Sequence, residues 1–306
     1  MNSPSSDNLP AVSVVIASVN GMPSIAECLD HLVGQQENIC HEVLVMDRCD
    51  ASTRDEVRRR FPQPEIRLIE VAGNPSIPKL RAMGVARASG KLIAILEDHC
   101  NVPAHWFRVM VRLREAGHQV MSGAVENGAV DRIVDWAVFF CEYARFMPPL
   151  PRGPADEIAG NCAIYAKEVL DRIGPELRED IWESFLHARL KEMDIKFYCD
   201  PELTVVHKKE FGFGYFVSQR YHYSRSFAGM RMRATPLWKR VAYASGCALL
   251  PVLLFARMTK IVLKKGRHRL KFLFAIPAIA VFLISWAWGE AVGSVLGAGD
   301  SLARVE

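Results

Sequence analysis

The chain has 306 residues, half of them hydrophobic, which suits one large or two small domains with a substantial core. Its net charge of +4 is modest and unevenly spread: from Arg220 to Lys271 basic residues are frequent and acidic ones absent, in the same region as the long apolar segments. That pattern points to a membrane-facing region and away from a nucleic-acid-binding surface.

The opening residues, MNSPSSDNLP, are polar and lack the apolar core of a secretion signal. Residues 1–11 are therefore expected to form a disordered tail, and the following domain to remain in the cytoplasm. Eight scattered cysteines without a C-x-x-C pair read as free thiols in a reducing compartment. Beyond the tail, Val12–Ile16 is a β-branched strand, followed by a helical pattern through SIAECLDHLVGQ. Glu42–Met46 repeats the theme and ends at Asp47; then come a charged helix STRDEVRRRF, a strand IRLIEV and a helix IPKLRAMGVARAS. A fourth strand, KLIAILED, runs into Glu97-Asp98-His99. Short apolar strands alternating with helices predict an α/β fold, a mostly parallel sheet flanked by helices. Ligands of such sheets bind beyond the carboxyl ends of the strands, where Ser18, Asp47 and Glu97-Asp98-His99 all fall.

The stretch from Gly117 to about His222 is less regular. DEIAGNCAIYAKEVLDRIG reads as loop, strand and helix, EDIWESFLHARLKEMD as a helix, and IKFYCDPELTVVHKK as two short strands around a turn. From Val241 two uncharged segments, VAYASGCALLPVLLFA and FLFAIPAIAVFLISWAW, sit at the lower limit for bilayer spans. The intervening RMTKIVLKKGRHRLK carries seven Lys or Arg and no acid. Two ordinary spans would place this loop outside the cell, against the positive-inside tendency. The expected arrangement is a first segment in-plane or re-entrant, kinked at Pro251, and a second that spans outward; a two-span hairpin and a buried soluble pair are the alternatives. Trp286 and Trp288 read as interface anchors.

Glu97 and His99 stand two apart, so an extended strand presents both on one face, where hard oxygens and an imidazole suit a divalent ion. The plain alternative is a strand running into a polar loop. The first strand is followed by ASVNGMPS, without the Gly-x-Gly-x-x-Gly cradle of a dinucleotide-dependent reductase.

The segments VSVVIASVN, EVLVMDRCDASTRD, PKLRAMGVARASGKLIAILEDHC, GNCAIYAKEVLDRIG and WESFLHARL occur in the order that resembles family 2 glycosyltransferases of the GT-A fold, over roughly Val12–His222. The resemblance implies a GT-A domain over 12–230, followed by a basic juxtamembrane segment and two hydrophobic helices over 231–306. It implies inverting transfer from a nucleotide diphosphate sugar, with Mg²⁺ or Mn²⁺, to a carbohydrate or lipid-linked acceptor at the cytoplasmic face of the membrane. Ser18 and Asn20 would line the nucleotide pocket. Asp47 would accept hydrogen bonds from the base, unless it is a loop cap. Arg81 would lie near the nucleotide, unless it is a solvated helix arginine.

Glu97-Asp98-His99 takes the place of the family's Asp-x-Asp motif. Glu97 and Asp98 would serve the donor, and Asp98 and His99 the metal. His99 replaces the usual aspartate, which shifts the expected preference toward Mn²⁺ or Zn²⁺. His207 matches an added histidine ligand of some members, or is simply a packed residue. For the base, Glu183 competes with Asp180 of the Glu179-Asp180 pair; Ser184 stands where the family has aspartate, and all three acids also suit a helix N-terminus. QRYHYSRSF resembles the Gln-x-x-Arg-Trp region, so Arg220, His222 and Arg225 would meet the acceptor or leaving diphosphate, or else begin the basic membrane-proximal face. The departures at His99 and Ser184 leave a catalytically degenerate nucleotide-binding scaffold as the alternative function.

Overall fold

Seven consecutive buried residues, Val12–Ser18, form strand β1 at the middle of the fold. With no exposed face, such a strand needs helices on both sides, and each fully buried Val or Ile contributes about 1.5–3 kcal/mol. The computed structural model describes residues 9–305; the first eight residues of the expected tail lie outside them. The alternation expected from the sequence follows: α1 (Ser24–Val33), β2 (His41–Asp47), α2 (Ala51–Arg60), β3 (Ile66–Glu70), α3 (Ile77–Val85) and β4 (Leu92–Glu97). Next come β5 (Cys100–Asn101), α4 (Trp106–Glu115), β6 (Val120–Ser122), β7 (Val125–Asn127), α5 (Ile133–Tyr143), β8 (Gly153–Ala155), β9 (Cys162–Ala166), α6 (Lys167–Leu170), α7 (Pro175–Glu179) and α8 (Glu183–Glu192). The chain ends with β10 (Phe197–Cys199), β11 (Val205–His207), α9 (Phe213–Arg231), α10 (Leu237–Gly246), α11 (Leu250–Lys265) and α12 (Arg269–Leu296).

Among the described residues the main sheet has eight strands in the order β3-β2-β1-β4-β9-β6-β10-β8. The β3-β2-β1-β4 block is parallel, while β9 runs antiparallel to both β4 and β6. Register then aligns the strand tips: Ser18 pairs with Asp47, Asp47 with Glu70, and Ala17 with Glu97. A second sheet, β5-β11-β7, pairs His207 with Cys100 in antiparallel register.

Two compact units emerge: residues to Glu126 with Phe146–Lys208, and Asn127–Arg145 with Lys209 onward. The first holds the main sheet. In the second, α9 and α12 pack closely at Gly289 and Gly293, where an added Cβ would collide with Ser224, Tyr221 and Arg225 of α9. The N-terminal part of α12 meets α5 through Phe272 and Phe140, 5.1 Å between ring centroids. Residues 237–265 and 269–296 are both long and apolar enough, by length and composition, to cross a membrane.

Candidate active site

The loop after β4 is organised around Asp98, which is 1% exposed. Its Oδ2 accepts from the backbone N–H groups of Val19 (2.8 Å) and Asn20 (2.9 Å), and its Oδ1 from Asn20 Nδ2 (2.6 Å). His99 Nδ1 lies 2.9 Å from the same Oδ1. Burial opposes ionisation of Asp98, but the His99 hydrogen bond and charge and the two backbone donors hold its carboxyl below the usual range. Asp98 thus ties the tip of β1 to the tip of β4. Asp98→Ala would strand these donors in a buried place, so a loss of about 2–4 kcal/mol in denaturant-measured stability is expected. An unchanged unfolding midpoint would refute the anchoring role.

Asp98 also fixes His99. A carboxylate on Nδ1 selects the Nδ1–H tautomer of a neutral ring and leaves Nε2 as the ligating nitrogen. That nitrogen lies 2.9 Å from His207 Nε2 and 3.3 Å from Glu97 Oε2; the His207 nitrogen is 3.7 Å from the same oxygen. Antiparallel pairing of β11 with β5 brings His207 there, and Lys208 N–H donating to His99 O (2.8 Å) closes the pair. Glu97, His99 and His207 together could hold one metal ion. Donors about 2.0–2.2 Å from an ion stand about 2.8–3.1 Å apart at octahedral angles and about 3.3–3.6 Å apart at tetrahedral ones. The separations of 2.9 and 3.3 Å therefore fit, and that of 3.7 Å lies just beyond the tetrahedral value. The donor chemistry, two imidazoles and one carboxylate, favours borderline ions such as Mn²⁺ or Zn²⁺ over Mg²⁺. Burial disfavours a charge on His99, yet Asp98 and Glu97 raise its pKa to about 9, so this place already attracts positive charge.

Glu97 has a second neighbour. Its Oε1 lies 3.2 Å from the guanidinium of Arg81, which also pairs closely with Glu183. Arg81 sits on α3, which packs tightly on β1 at Gly84, where a Cβ would collide with Val15. Glu183 opens α8: Trp182 is extended, so the helix expected from EDIWESFLHARLKEMD begins only at Glu183. The approach is set by Ile181 N–H donating to Pro78 O (3.0 Å) and by Gly160, whose Cβ would come within 2.8 Å of Glu183 Cγ. Burial raises the pKa of Glu183; Arg81 opposes the rise and Glu97 adds to it. Of the two candidate bases, Glu183 is the one tied to Arg81, while Asp180 follows the end of α7, half-buried.

The other expected site residues are distributed as follows. Ser18 Oγ donates to Asp47 Oδ1 (2.8 Å), and Asp47 Oδ2 faces Arg54 at 3.4 Å. Arg54 reaches Glu70 as well, at 3.1 Å, so Asp47, 1% exposed, lies inside a polar cluster at the strand tips. Of the expected metal ligands Asp98, His99 and His207, the two histidines come together, but Glu97 stands beside them in place of Asp98, whose carboxylate is held by the Val19 and Asn20 amides. In the second unit, Arg220 stacks on Trp286 (4.0 Å to the ring centroid) with Glu142 at 3.9 Å. His222 Nδ1 lies 3.0 Å from Ser301 Oγ, and Arg225 Nε donates to Gly297 O (3.4 Å). Trp288 is exposed, whereas Trp286 lies under Arg220. Sequence reasoning missed Gly160 and Arg54; the glycine before Asn161 was a visible signal for the first.

Residues 13–174, more than half of the chain, match the model of glycosyl transferase family 2. Over 128 residues the chain is 32% identical to the succinoglycan biosynthesis protein ExoO of Rhizobium meliloti (strain 1021); the match covers 42% of this chain and 36% of that protein. The matched part is thus little more than a third of that relative's length. Among solved structures, the mannosyltransferase PcManGT from Pyrobaculum calidifontis, in complex with GDP-Man and Mn²⁺, has a TM-score of 0.58 at 18% identity, covering 92% of this chain and 87% of that one. GalNAc-T7 with UDP, GalNAc and Mn²⁺ has a TM-score of 0.51 at 15% identity, covering 67% and 44%. These structural likenesses establish the fold.

Proposed function

Since the chain belongs to glycosyl transferase family 2, we propose that it transfers a sugar, with inversion, from a nucleotide diphosphate donor to a carbohydrate or lipid-linked acceptor at the cytoplasmic face of a membrane. The observation that carries this reading is the convergence of Glu97, His99 and His207 at the tip of β4, joined through Arg81 to Glu183. Glu97, His99 and His207 would hold a divalent ion of the Mn²⁺ type, which when bound supplies charge neutralisation for a diphosphate. Asp98 keeps His99 in its ligating orientation. Ser18 and Asn20 border the nucleotide, with Asp47 holding Ser18.

Glu183 accepts the proton of the acceptor hydroxyl as its oxygen bonds to the anomeric carbon; the bond to the donor diphosphate breaks on the opposite face, which inverts the centre. Burial brings its basicity toward the working range, and Arg81 keeps the carboxylate charged and aimed. Arg220, His222 and Arg225 contribute to the membrane-proximal unit.

The test is a thermal-shift and nucleotide-release screen of the purified chain with nucleotide sugars, with and without Mn²⁺ or Mg²⁺. Expected is a rise in melting temperature that needs both ligands, since binding to the native state alone stabilises it, and metal-dependent release of a nucleoside diphosphate. Donor binding without release or transfer under any condition would favour the scaffold alternative.

A further inference from the structure

The second unit poses a physical problem: α12 is apolar enough to span a bilayer, but its neighbours are not. Along its first half it packs on α5, with Trp136 4.5 Å from His268 and Phe140 5.1 Å from Phe272. Along its second half it runs beside α9 in the same direction, through Phe216 and Phe282 (4.7 Å), Tyr223 and Trp286 (5.6 Å), and Arg225 and Gly297 (3.4 Å). Were Phe272–Gly289 to lie across hydrocarbon, α5 and α9 would accompany it there and bring Arg220, which stacks on Trp286, and Glu142 beside it. A charged residue at mid-bilayer costs about 2.5–3.5 kcal/mol on insertion scales. Helices α10 and α11 meet a different constraint: although residues 237–265 are long enough overall, their uncharged run, residues 241–256, is about 24 Å long at 1.5 Å per residue, against a core of about 30 Å.

The exposed surface shows what the unit is suited to instead. Leu270, Leu273, Phe274, Val281, Ile284 and Trp288 recur at helical spacing as one strip of α12, between 40% and 72% exposed. On α11, Leu253, Arg257, Lys260 and Lys264 fall at spacings of four, three and four, so one exposed strip passes from apolar to cationic toward the turn. Between Glu210 and Glu290 there is no acidic residue to offset these cations. We infer that the second unit lies in the plane of one leaflet of an anionic bilayer, its apolar strips in the interface and the α11–α12 cations on lipid phosphates, with neither helix crossing. This departs from the expected topology, in which the second segment spans, and it rests on the membrane association proposed above, not on transfer chemistry.

The test uses the full chain added to preformed vesicles of phosphatidylcholine, with or without phosphatidylglycerol. Sedimentation is expected to show binding that requires phosphatidylglycerol and falls with salt. Lys260→Glu with Lys264→Glu should weaken it by about 30-fold or more, at roughly fivefold (~1 kcal/mol) per lost cation, with circular dichroism and donor-dependent thermal shift retained. An amine reagent that cannot cross the bilayer should label Lys264 and Lys265 from outside, together with Lys191 of the first unit. Labelling of Lys264 and Lys265 only after detergent would mean a crossing hairpin and overturn the inference; equal binding to both vesicle types would overturn the anionic partner. Failure to bind any vesicle would remove the membrane reading altogether and leave glycosyl transfer untouched.

Discussion

Glu183→Gln is expected to lower the rate of sugar transfer by about 10²–10⁴-fold, the range a positioned general base contributes, while donor and metal binding persist. The substitution keeps the side chain's size against Gly160, where space is limiting. It also leaves Arg81 its pairing with Glu97, so the metal-competent cluster should remain assembled. Single-turnover transfer and Mn²⁺-dependent thermal shift, measured on the same preparation, separate the two effects. Asp180→Asn serves as the comparison and should leave the rate near that of the parent chain. Wild-type turnover in Glu183→Gln combined with its loss in Asp180→Asn would move the base to Asp180 and leave Glu183 as a partner of Arg81.

The second large effect concerns the two histidines. His99→Ala and His207→Ala should each reduce Mn²⁺ affinity by more than the roughly 10–100-fold that loss of an outer-shell partner costs, since each removes a ligating nitrogen. Mn²⁺ binding followed by electron paramagnetic resonance reads this without requiring activity. His99→Asp provides the discriminating variant. An oxygen donor there restores a harder site, so the preference should move toward Mg²⁺. Asp98 complicates that variant: its carboxylate now faces the imidazole at 2.9 Å, and a second acid would meet like charge. Partial restoration with altered metal choice is therefore the expected result. Unchanged Mn²⁺ binding in both alanine variants would exclude the Glu97–His99–His207 cluster as the metal site.

Much of the first unit was legible in the residues. VSVVI, EVLVM and KLIAIL have too many consecutive apolar β-branched or aliphatic residues for a half-exposed strand, and helical patterns separate them. A parallel sheet follows, and with it the meeting of Ser18, Asp47 and Glu97 at one edge. The division of labour within Glu97-Asp98-His99 was not legible. In an extended strand Glu97 and His99 share a face, but the assignment of ribose, metal or anchor depends on which backbone groups lie opposite. Here those are the amides of Val19 and Asn20, 79 and 78 residues away from Asp98.

Distance along the chain marks the boundary between the two kinds of knowledge. Periodicity and strand-end polarity are local, and the sequence alone determined the α/β fold, the family resemblance and the list of chemically competent residues. Tertiary structure decided their grouping: the pairing of β5 with β11 brings His207 to His99 across 108 residues, and α3 presents Arg81 to both Glu97 and Glu183. It also decided which strip of α12 packs on α5 and α9 and which remains exposed, because an all-round apolar helix carries no local signal for its buried face. Such choices come from long-range packing, where the energy of a contact depends on partners that no neighbouring residue specifies.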